Sequence, residues 1–70
     1  MVSQTTFFFN GNEYFTKSSI TLADLLNYFD YNTSIFVVEY NQFICNKKNW
    51  KNITIEPNDT IEIITIVGGG

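Results

Sequence analysis

Residues 21–29 read TLADLLNYF, and this is the stretch that decides the fold. Its large apolar residues recur at the i, i+3, i+4 and i+7 spacing of one helix face, namely Leu22, Leu25, Leu26 and Phe29. Thr21 and Asp24 have the spacing of a capping box, which satisfies free N–H groups at a helix start. An amphipathic helix of about two to three turns is not stable alone in water, so we expect it to pack on a sheet.

The segment before this helix has the pattern of a β-hairpin. Residues 4–10 and 13–17 contain many β-forming residues. They are joined by Asn10-Gly11-Asn12, and Asn-Gly is the strongest short signal for a hairpin because both residues accept positive φ.

The segment after the helix is also rich in strand patterns. We predict strands at residues 35–40, 43–45 and 60–67. Residues 46–52 are rich in lysine and are expected to be irregular, with a single helical turn that packs Trp50 against the edge of the core. Residues 56–59 form a predicted turn, with Pro57 well placed at its second position.

The order of these elements is hairpin, helix, two strands and a final strand. One helix among strands indicates an α+β domain, in which the helix covers one face of a mixed sheet of about four to five strands. The last strand has its best partner in the first strand, parallel to it. We therefore predict the β-grasp, or ubiquitin-like, fold, with a domain at residues 1–67 and a flexible glycine tail at residues 68–70.

The composition excludes several classes of enzyme and metal protein. The chain has 70 residues, a net charge of −3, no histidine and one cysteine, Cys45. A chain of this length forms one small domain, with too little material for a deep substrate cavity. Cys45 cannot form an internal disulfide, and a single cysteine without histidine cannot form a structural zinc site. A chain without histidine also lacks the base of Ser-His or Cys-His catalysis. We therefore expect no catalytic residue, no metal site and no permanently bound cofactor.

The charges and apolar runs argue against two kinds of partner. Four lysines, no arginine and seven carboxylates are a poor composition for binding a nucleic-acid backbone. No apolar run approaches the roughly 20 residues of a membrane span, and the N-terminus lacks the pattern of a signal peptide. We therefore expect neither nucleic acid nor membrane as a partner. A lone thiol fits a reducing compartment, such as the bacterial cytoplasm or the plastid stroma.

The chain ends in Gly68, Gly69 and Gly70, and two interpretations of this tail are open. Chain ends commonly fray, in which case the glycines have no function. Alternatively, glycine lacks Cβ and adopts any φ, so three in succession can thread a narrow channel in another protein. Residues 67–70 span roughly 13 Å when extended, enough to carry the terminal carboxylate into a buried site.

The sequence resembles the ThiS family, the sulfur carrier proteins of thiamine thiazole biosynthesis, over essentially the whole chain. The segments that carry the resemblance are Phe9-Asn10, residues 21–26, residues 37–41, the lysine-rich stretch up to Trp50, residues 59–63 and the ending Val67-Gly68-Gly69-Gly70. Ubiquitin-like carriers share the terminal diglycine, and the Asp-x-Ile-Glu-Ile strand with a Val-Gly-Gly-Gly ending narrows the resemblance to the ThiS family. Residues 1–5 depart from the family pattern as an N-terminal extension, since members of the family often begin close to their first strand.

The resemblance implies a chemistry centred on the carboxylate of Gly70. An E1-like, ThiF-like adenylyltransferase joins that carboxylate to AMP and consumes ATP. A persulfide on a donor protein then displaces AMP and leaves a thiocarboxylate at Gly70, and a ThiG-like thiazole synthase receives the sulfur. In this scheme Gly68 and Gly69 thread the partner's active site, and the chain itself catalyses nothing.

Strand alternation predicts which residues the partners contact. With one helix, only one face of the sheet is covered. We assign four strand residues to the core together with the helix stripe, namely Phe7, Phe9, Ile61 and Ile63. Phe8, Ile64 and Ile66 are then exposed on the other face, an apolar patch typical of an interaction surface, with Glu62 beside it for charged contacts. Two alternatives are that residues of high β-propensity simply fill these positions, or that two copies of the chain pair there.

Other functions stay open at this stage. The small subunit of molybdopterin synthase also ends in diglycine, but its family usually has a proline in the lead-in, which residues 64–67 lack. A ubiquitin-like modifier would attach the same tail to a lysine, and a plain interaction module would have an inert tail. Cys45 is expected to be a packed thiol rather than a persulfide relay. Lys47, Lys48 and Lys51 are expected to form a solvated loop rather than a contact for an acidic partner.

Overall fold

The computed structural model describes residues 4–29 and 36–65. The elements in these ranges are β1 (Thr5–Phe9), β2 (Asn12–Thr16), α1 (Leu22–Tyr28), β3 (Phe36–Tyr40), β4 (Phe43–Cys45), a 3₁₀ helix (Lys47–Asn52) and β5 (Thr60–Thr65). The strands form one sheet in the order β2-β1-β5-β3-β4. β1 and β5 are parallel, and the other neighbouring strands are antiparallel. This arrangement confirms the predicted β-grasp fold, with the last strand beside the first at the centre of the sheet.

Helix α1 begins as its sequence predicts. The hydroxyl of Thr21 accepts a hydrogen bond from the N–H of Asp24 at 3.1 Å, and the carboxylate of Asp24 accepts one from the N–H of Thr21 at 2.9 Å. These two bonds close the capping box. At the other end of the helix, the ring of the half-buried Phe29 stacks on that of Phe9, with 4.8 Å between centroids. The helix is therefore attached to β1 as well as capped at its start.

Residues with positive φ close both hairpins. Asn10 and Gly11 have φ of 52° and 83°, and Asn41 and Gln42 have φ of 52° and 75°. Positive φ at both central residues is the requirement of a type I′ turn, whose twist matches that of the flanking strands. The Asn10-Gly11 pair predicts its turn from the sequence alone. Gln42 adopts positive φ as well, although it has a Cβ and lacks the conformational freedom of glycine.

The core lies between α1 and the sheet. Six residues of the predicted core are buried, namely Phe7, Phe9, Leu22, Leu25, Leu26 and Ile61. The other two, Phe29 and Ile63, are half-buried and pack against this cluster. Trp50 is buried as well, but the segment that carries it is a six-residue 3₁₀ helix, longer than the single turn predicted. Val38 and Ile55 are also buried in the core, although neither was predicted to lie there.

Some sequence-predicted boundaries differ from those of the structure. The first strand, predicted at residues 4–10, is β1 (Thr5–Phe9), and its first residue Thr5 pairs with Thr16. The strand predicted at residues 60–67 is described as far as Thr65. The predicted boundary between a domain at residues 1–67 and a tail at residues 68–70 lies outside the described residues.

Candidate functional site

The central strand β5 leads toward the C-terminus and is held on both of its sides. Its register with β3 continues as far as the pair Phe36–Thr65. Its register with β1 ends at Phe9–Ile61, because β1 turns away into the hairpin. Beyond that point the side chain of Asn10 supplies the acceptor that a strand backbone would otherwise provide. Its Oδ1 accepts a hydrogen bond from the N–H of Ile63 at 2.8 Å. The strand that precedes the glycines is therefore fixed beyond the end of its β1 partner.

The structure describes three of the four predicted docking residues. Strand alternation places Phe8, Glu62 and Ile64 on the sheet face opposite α1. Ile64 is 40% exposed, Glu62 is exposed and Phe8 is half-buried. Ile66 lies outside the described residues, as do Gly68, Gly69 and Gly70.

The same face carries further residues that the sequence analysis missed. Phe15 on β2 is 61% exposed and Ile44 on β4 is 72% exposed. Val37 pairs with Ile64 across β3 and β5, which places it on this face. Alternation along β2 and β4 is a usable sequence signal for Phe15 and Ile44, but the sheet order was needed to join them to Ile64. We call this surface the open face, defined as Phe8, Phe15, Val37, Glu39, Ile44, Glu62 and Ile64.

The open face carries negative charge at its centre. Glu39 on β3 lies directly opposite Glu62 on β5 in the antiparallel register. Like charges directly opposite one another destabilise a sheet, so this pair does not favour folding. Glu39 also pairs with Ile44, so that the carboxylates are flanked by apolar side chains. The open face therefore complements a surface that is apolar and carries basic groups.

A buried carboxylate fixes the turn that starts β5. Asp59 is 7% exposed, and its oxygens accept hydrogen bonds from the hydroxyl of Tyr40, from Nδ2 of Asn41 at 2.9 Å and from the N–H of Glu56 at 2.7 Å. Oδ1 of Asn41 in turn accepts from the N–H of Thr60 at 2.8 Å. The predicted turn at residues 56–59 is thus tied to the β3–β4 hairpin, and this network sets where β5 begins.

The phenol of Tyr40 makes the stability of this network depend on pH. Burial, the hydrogen bond to Asp59 and the negative charge of Asp59 raise the pKa of Tyr40 above its ordinary value. The neutral phenol therefore contributes stability that is fully present below pH about 10 and is lost as pH rises toward the folded-state pKa. We expect the difference in unfolding free energy between the parent and Tyr40→Phe to shrink above pH about 10 in urea titrations. Tyr28→Phe, at an exposed position, is the control, and a difference that stays constant across this range would contradict the assignment.

Cys45 has the environment of a packed thiol. It is half-buried on β4, and burial raises the pKa of its thiol. Because the thiolate is the reactive form, this environment does not favour a persulfide relay. Within residues 4–29 and 36–65, no group of three or more potential metal ligands comes together. Neither helical segment of these ranges is long and apolar enough to cross a membrane.

A five-stranded mixed sheet packed against a single helix defines the β-grasp, or ubiquitin-like, class of small proteins. In this chain the central strand continues in sequence to three glycines. The family model described as the ThiS family matches residues 7–70, and the chain belongs to that family.

Comparison with known proteins agrees with this assignment. The chain is 68% identical over 65 residues to "Uncharacterized protein ycf40" of Trieres chinensis, covering 93% of this chain and 89% of that protein. It is 35% identical over 54 residues to "Sulfur carrier protein ThiS" of Bacillus subtilis strain 168, covering 77% of this chain and 82% of that protein. The crystal structure of the thiamine biosynthesis protein ThiS from Geobacter metallireducens has the same fold, with a TM-score of 0.80 at 20% identity, covering 94% of this chain and 100% of that chain.

Proposed function

We propose that this chain is a sulfur carrier whose reactive group is the C-terminal carboxylate of Gly70. One observation carries the proposal: the central strand β5, held by β3 and by Asn10, continues in sequence to Gly68-Gly69-Gly70. The five residues after Thr65 reach about 17 Å when extended. A rigid sheet with a slim lead-in of glycines suits the delivery of a carboxylate into the active site of another protein. The name of the Bacillus subtilis relative supports this function.

The proposed chemistry activates the carboxylate and then replaces one of its oxygens with sulfur. In an E1-like, ThiF-like adenylyltransferase, a carboxylate oxygen of Gly70 attacks the α-phosphorus of ATP and releases pyrophosphate. The terminal sulfur of a persulfide on a donor protein attacks the acyl carbon, the bond to AMP breaks, and an acyl disulfide forms. A thiol then reduces this disulfide, which releases the thiocarboxylate and leaves a new disulfide on the donor side. The partner consumes the ATP, so the chain needs no permanently bound cofactor and no catalytic residue of its own.

We further propose that the sulfur enters the thiazole ring of thiamine at a ThiG-like thiazole synthase. Membership of the ThiS family supports this acceptor, and so does the name of the Geobacter metallireducens protein, which is called a thiamine biosynthesis protein. Gly68 and Gly69 are the residues that thread the partner site. The half-buried free thiol of Cys45 suits a reducing compartment, and the bacterial cytoplasm and the plastid stroma are the proposed locations.

The open face is the proposed docking surface for the adenylyltransferase. Of its exposed apolar residues, Ile44 pairs with Glu39 and Ile64 lies two residues beyond Glu62 on β5, whereas Phe15 lies on the edge strand β2. Because these carboxylates repel each other in the free chain, basic groups on a partner would relieve the repulsion on binding. The partner is therefore expected to present an apolar surface with lysine or arginine side chains.

Intact-mass analysis tests the proposed function. The chain is incubated with the adenylyltransferase of its own organism, MgATP and inorganic sulfide, which replaces AMP directly and gives the thiocarboxylate. We expect a mass gain equal to one oxygen-to-sulfur exchange, dependent on ATP. An unchanged mass with an enzyme that adenylates its own control substrate would overturn the proposal. Adding the product to purified thiazole synthase, or alternatively to the large subunit of molybdopterin synthase, decides between the two acceptor pathways.

Replacing Ile64 with serine tests the docking role of the open face. We expect Ile64→Ser to lower kcat/KM for ATP–pyrophosphate exchange by about tenfold, because a central apolar contact of an interface typically contributes about 1–2 kcal/mol. Phe43→Ser is the matched control, since Phe43 on β4 is also exposed but pairs with Tyr40 and so lies on the other face. Equal losses in the two variants would argue against docking through the open face.

A further inference from the structure

Three of the four lysines of the chain lie on the 3₁₀ helix, and we call Lys47, Lys48 and Lys51 the lysine patch. Two hydrogen bonds stabilise the helix that carries them. The Oδ1 of Asn46 accepts a hydrogen bond from the N–H of Lys48 at 3.2 Å, and the buried Trp50 donates from Nε1 to the carbonyl of Cys45 at 3.2 Å. The lysines are thus presented on an ordered helix rather than on the solvated loop that the sequence analysis expected.

The lysine patch lies at the end of the sheet from which the chain continues to its glycines. The ring of Trp50 stacks on that of Phe36, with 5.9 Å between centroids. Phe36 pairs with Thr65, the last described residue of β5. The patch borders a surface depression that also includes Ala23 of α1, which places it on the helix-covered side of the sheet. Thr65 therefore lies between the open face on one side and the lysine patch on the other.

The two sides differ in charge. Seven carboxylates and four lysines make the chain acidic, and alternation along the strands places Glu13, Glu39 and Glu62 on the side opposite α1. Trp50 packs the 3₁₀ helix against the core, whereas its three lysines are exposed. This separation of charge suits two partners of different electrostatic character, bound on opposite sides.

We propose that the lysine patch docks an acidic surface of the protein that delivers the persulfide sulfur, while the adenylyltransferase occupies the open face. This inference rests on the proposed function. An acyl adenylate is a mixed anhydride that water hydrolyses, so we expect the donor to approach while the adenylyltransferase still shields it and covers the open face. The helix-covered side is then the one that the donor can reach. The lysine patch is the basic surface on that side, at the end of the sheet where Thr65 lies. The acceptor enzyme, in contrast, meets the chain after the adenylyltransferase has left.

A reconstituted reaction separates docking of the donor from activation of the tail. The parent chain and the triple variant K47E/K48E/K51E are compared in three assays: ATP–pyrophosphate exchange, thiocarboxylate formation from inorganic sulfide, and thiocarboxylate formation from a persulfide-loaded cysteine desulfurase with a thiol reductant. We expect the first two rates to agree within about twofold. The third should fall at least about tenfold in kcat/KM for the donor protein, because charge complementarity acts mainly on the encounter rate.

Two control variants sharpen the test. Lys17→Glu changes the one lysine outside the patch and should leave all three rates unchanged. K47Q/K48Q/K51Q removes the charges without reversing them and should give an intermediate loss that disappears at about 1 M salt, where screening is nearly complete. Unimpaired pyrophosphate exchange shows that both multiple variants are folded.

Two results would overturn the inference. A persulfide-driven rate that is unchanged in the triple variant would show that the donor does not use the patch. Equal losses in pyrophosphate exchange or in the sulfide-driven reaction would assign the patch to the adenylyltransferase. A parent chain that is not adenylated at all would instead overturn the proposed function, and this inference with it.

Discussion

Deleting Gly70 is expected to lower the rate of thiocarboxylate formation at least about a hundredfold, because a shift of about 1 Å at a reacting atom already costs about that factor. The deletion shortens the extended tail by about 3.5 Å, so the new terminal carboxylate of Gly69 stops short of the α-phosphorus of bound ATP. The measurement is intact-mass analysis of the chain incubated with the adenylyltransferase, MgATP and sulfide. Thermal unfolding of the deleted chain checks that the domain itself is unaffected.

Substitution of Gly69 supplies the matched control for this prediction. Gly69→Ala keeps the length of the tail and its carboxylate but adds a methyl group, and Gly69→Val adds a branched side chain. If the tail threads a narrow channel, the rates should fall in the order parent, alanine, valine, with the valine variant approaching the deletion. A deleted chain that is converted at the parental rate would show that the position of the carboxylate does not matter. That result would favour the inert-tail interpretation.

Replacing Asp59 with alanine is expected to destabilise the domain by about 3 kcal/mol, since three hydrogen bonds to one buried carboxylate are lost. Asn41 and the hydroxyl of Tyr40 then lack their acceptor in a partly buried site. Small domains have unfolding free energies of only about 5 kcal/mol or slightly more, so a loss of this size would remove about half of the stability and leave up to a few per cent of the chain unfolded at 37 °C. Urea unfolding followed by circular dichroism measures the effect.

The turn itself offers the control for this substitution. Glu56→Ala changes an exposed carboxyl side chain in the same turn but retains the backbone N–H that bonds to Asp59. We expect Glu56→Ala to alter stability by less than about 0.5 kcal/mol. Asp59→Asn keeps one carbonyl acceptor and should fall between the two variants. Equal effects of Asp59→Ala and Glu56→Ala would mean that the buried network does not fix the start of β5.

The elements of this fold that were predictable are those formed by interactions between residues close together in the sequence. The stripe of Leu22, Leu25 and Leu26 and the capping box of Thr21 and Asp24 lie within a few residues of one another, so helix α1 is readable from its own sequence. The Asn10-Gly11 turn is equally local, because its positive φ values depend on the two residues that adopt them. Period-two alternation in β1 and β5 then separated the buried Phe7 and Ile61 from the open face.

Register and the neighbours of each strand were not predictable in the same way. The sequence shows Glu39 and Glu62 as two separate acidic residues, and only the antiparallel pairing of β3 and β5 makes them direct neighbours. The turn at residues 56–59 was expected, but nothing near Asp59 in the chain indicates that its carboxylate bonds to Tyr40, which lies 19 residues away. The lysine patch was visible as a run of charge, while its place beside Thr65 depends on the stacking of Trp50 on Phe36.

The sequence by itself therefore determined the helix, the first hairpin, the buried face of the sheet and the family to which the chain belongs. Only the tertiary structure decided which surfaces flank the end of β5 and what holds that strand in place. The physical reason is the range of the interactions. Periodicity, capping and turn conformations act over a few residues, whereas the hydrogen bond from Ile63 to Asn10 joins residues 53 positions apart and exists only once the chain has folded.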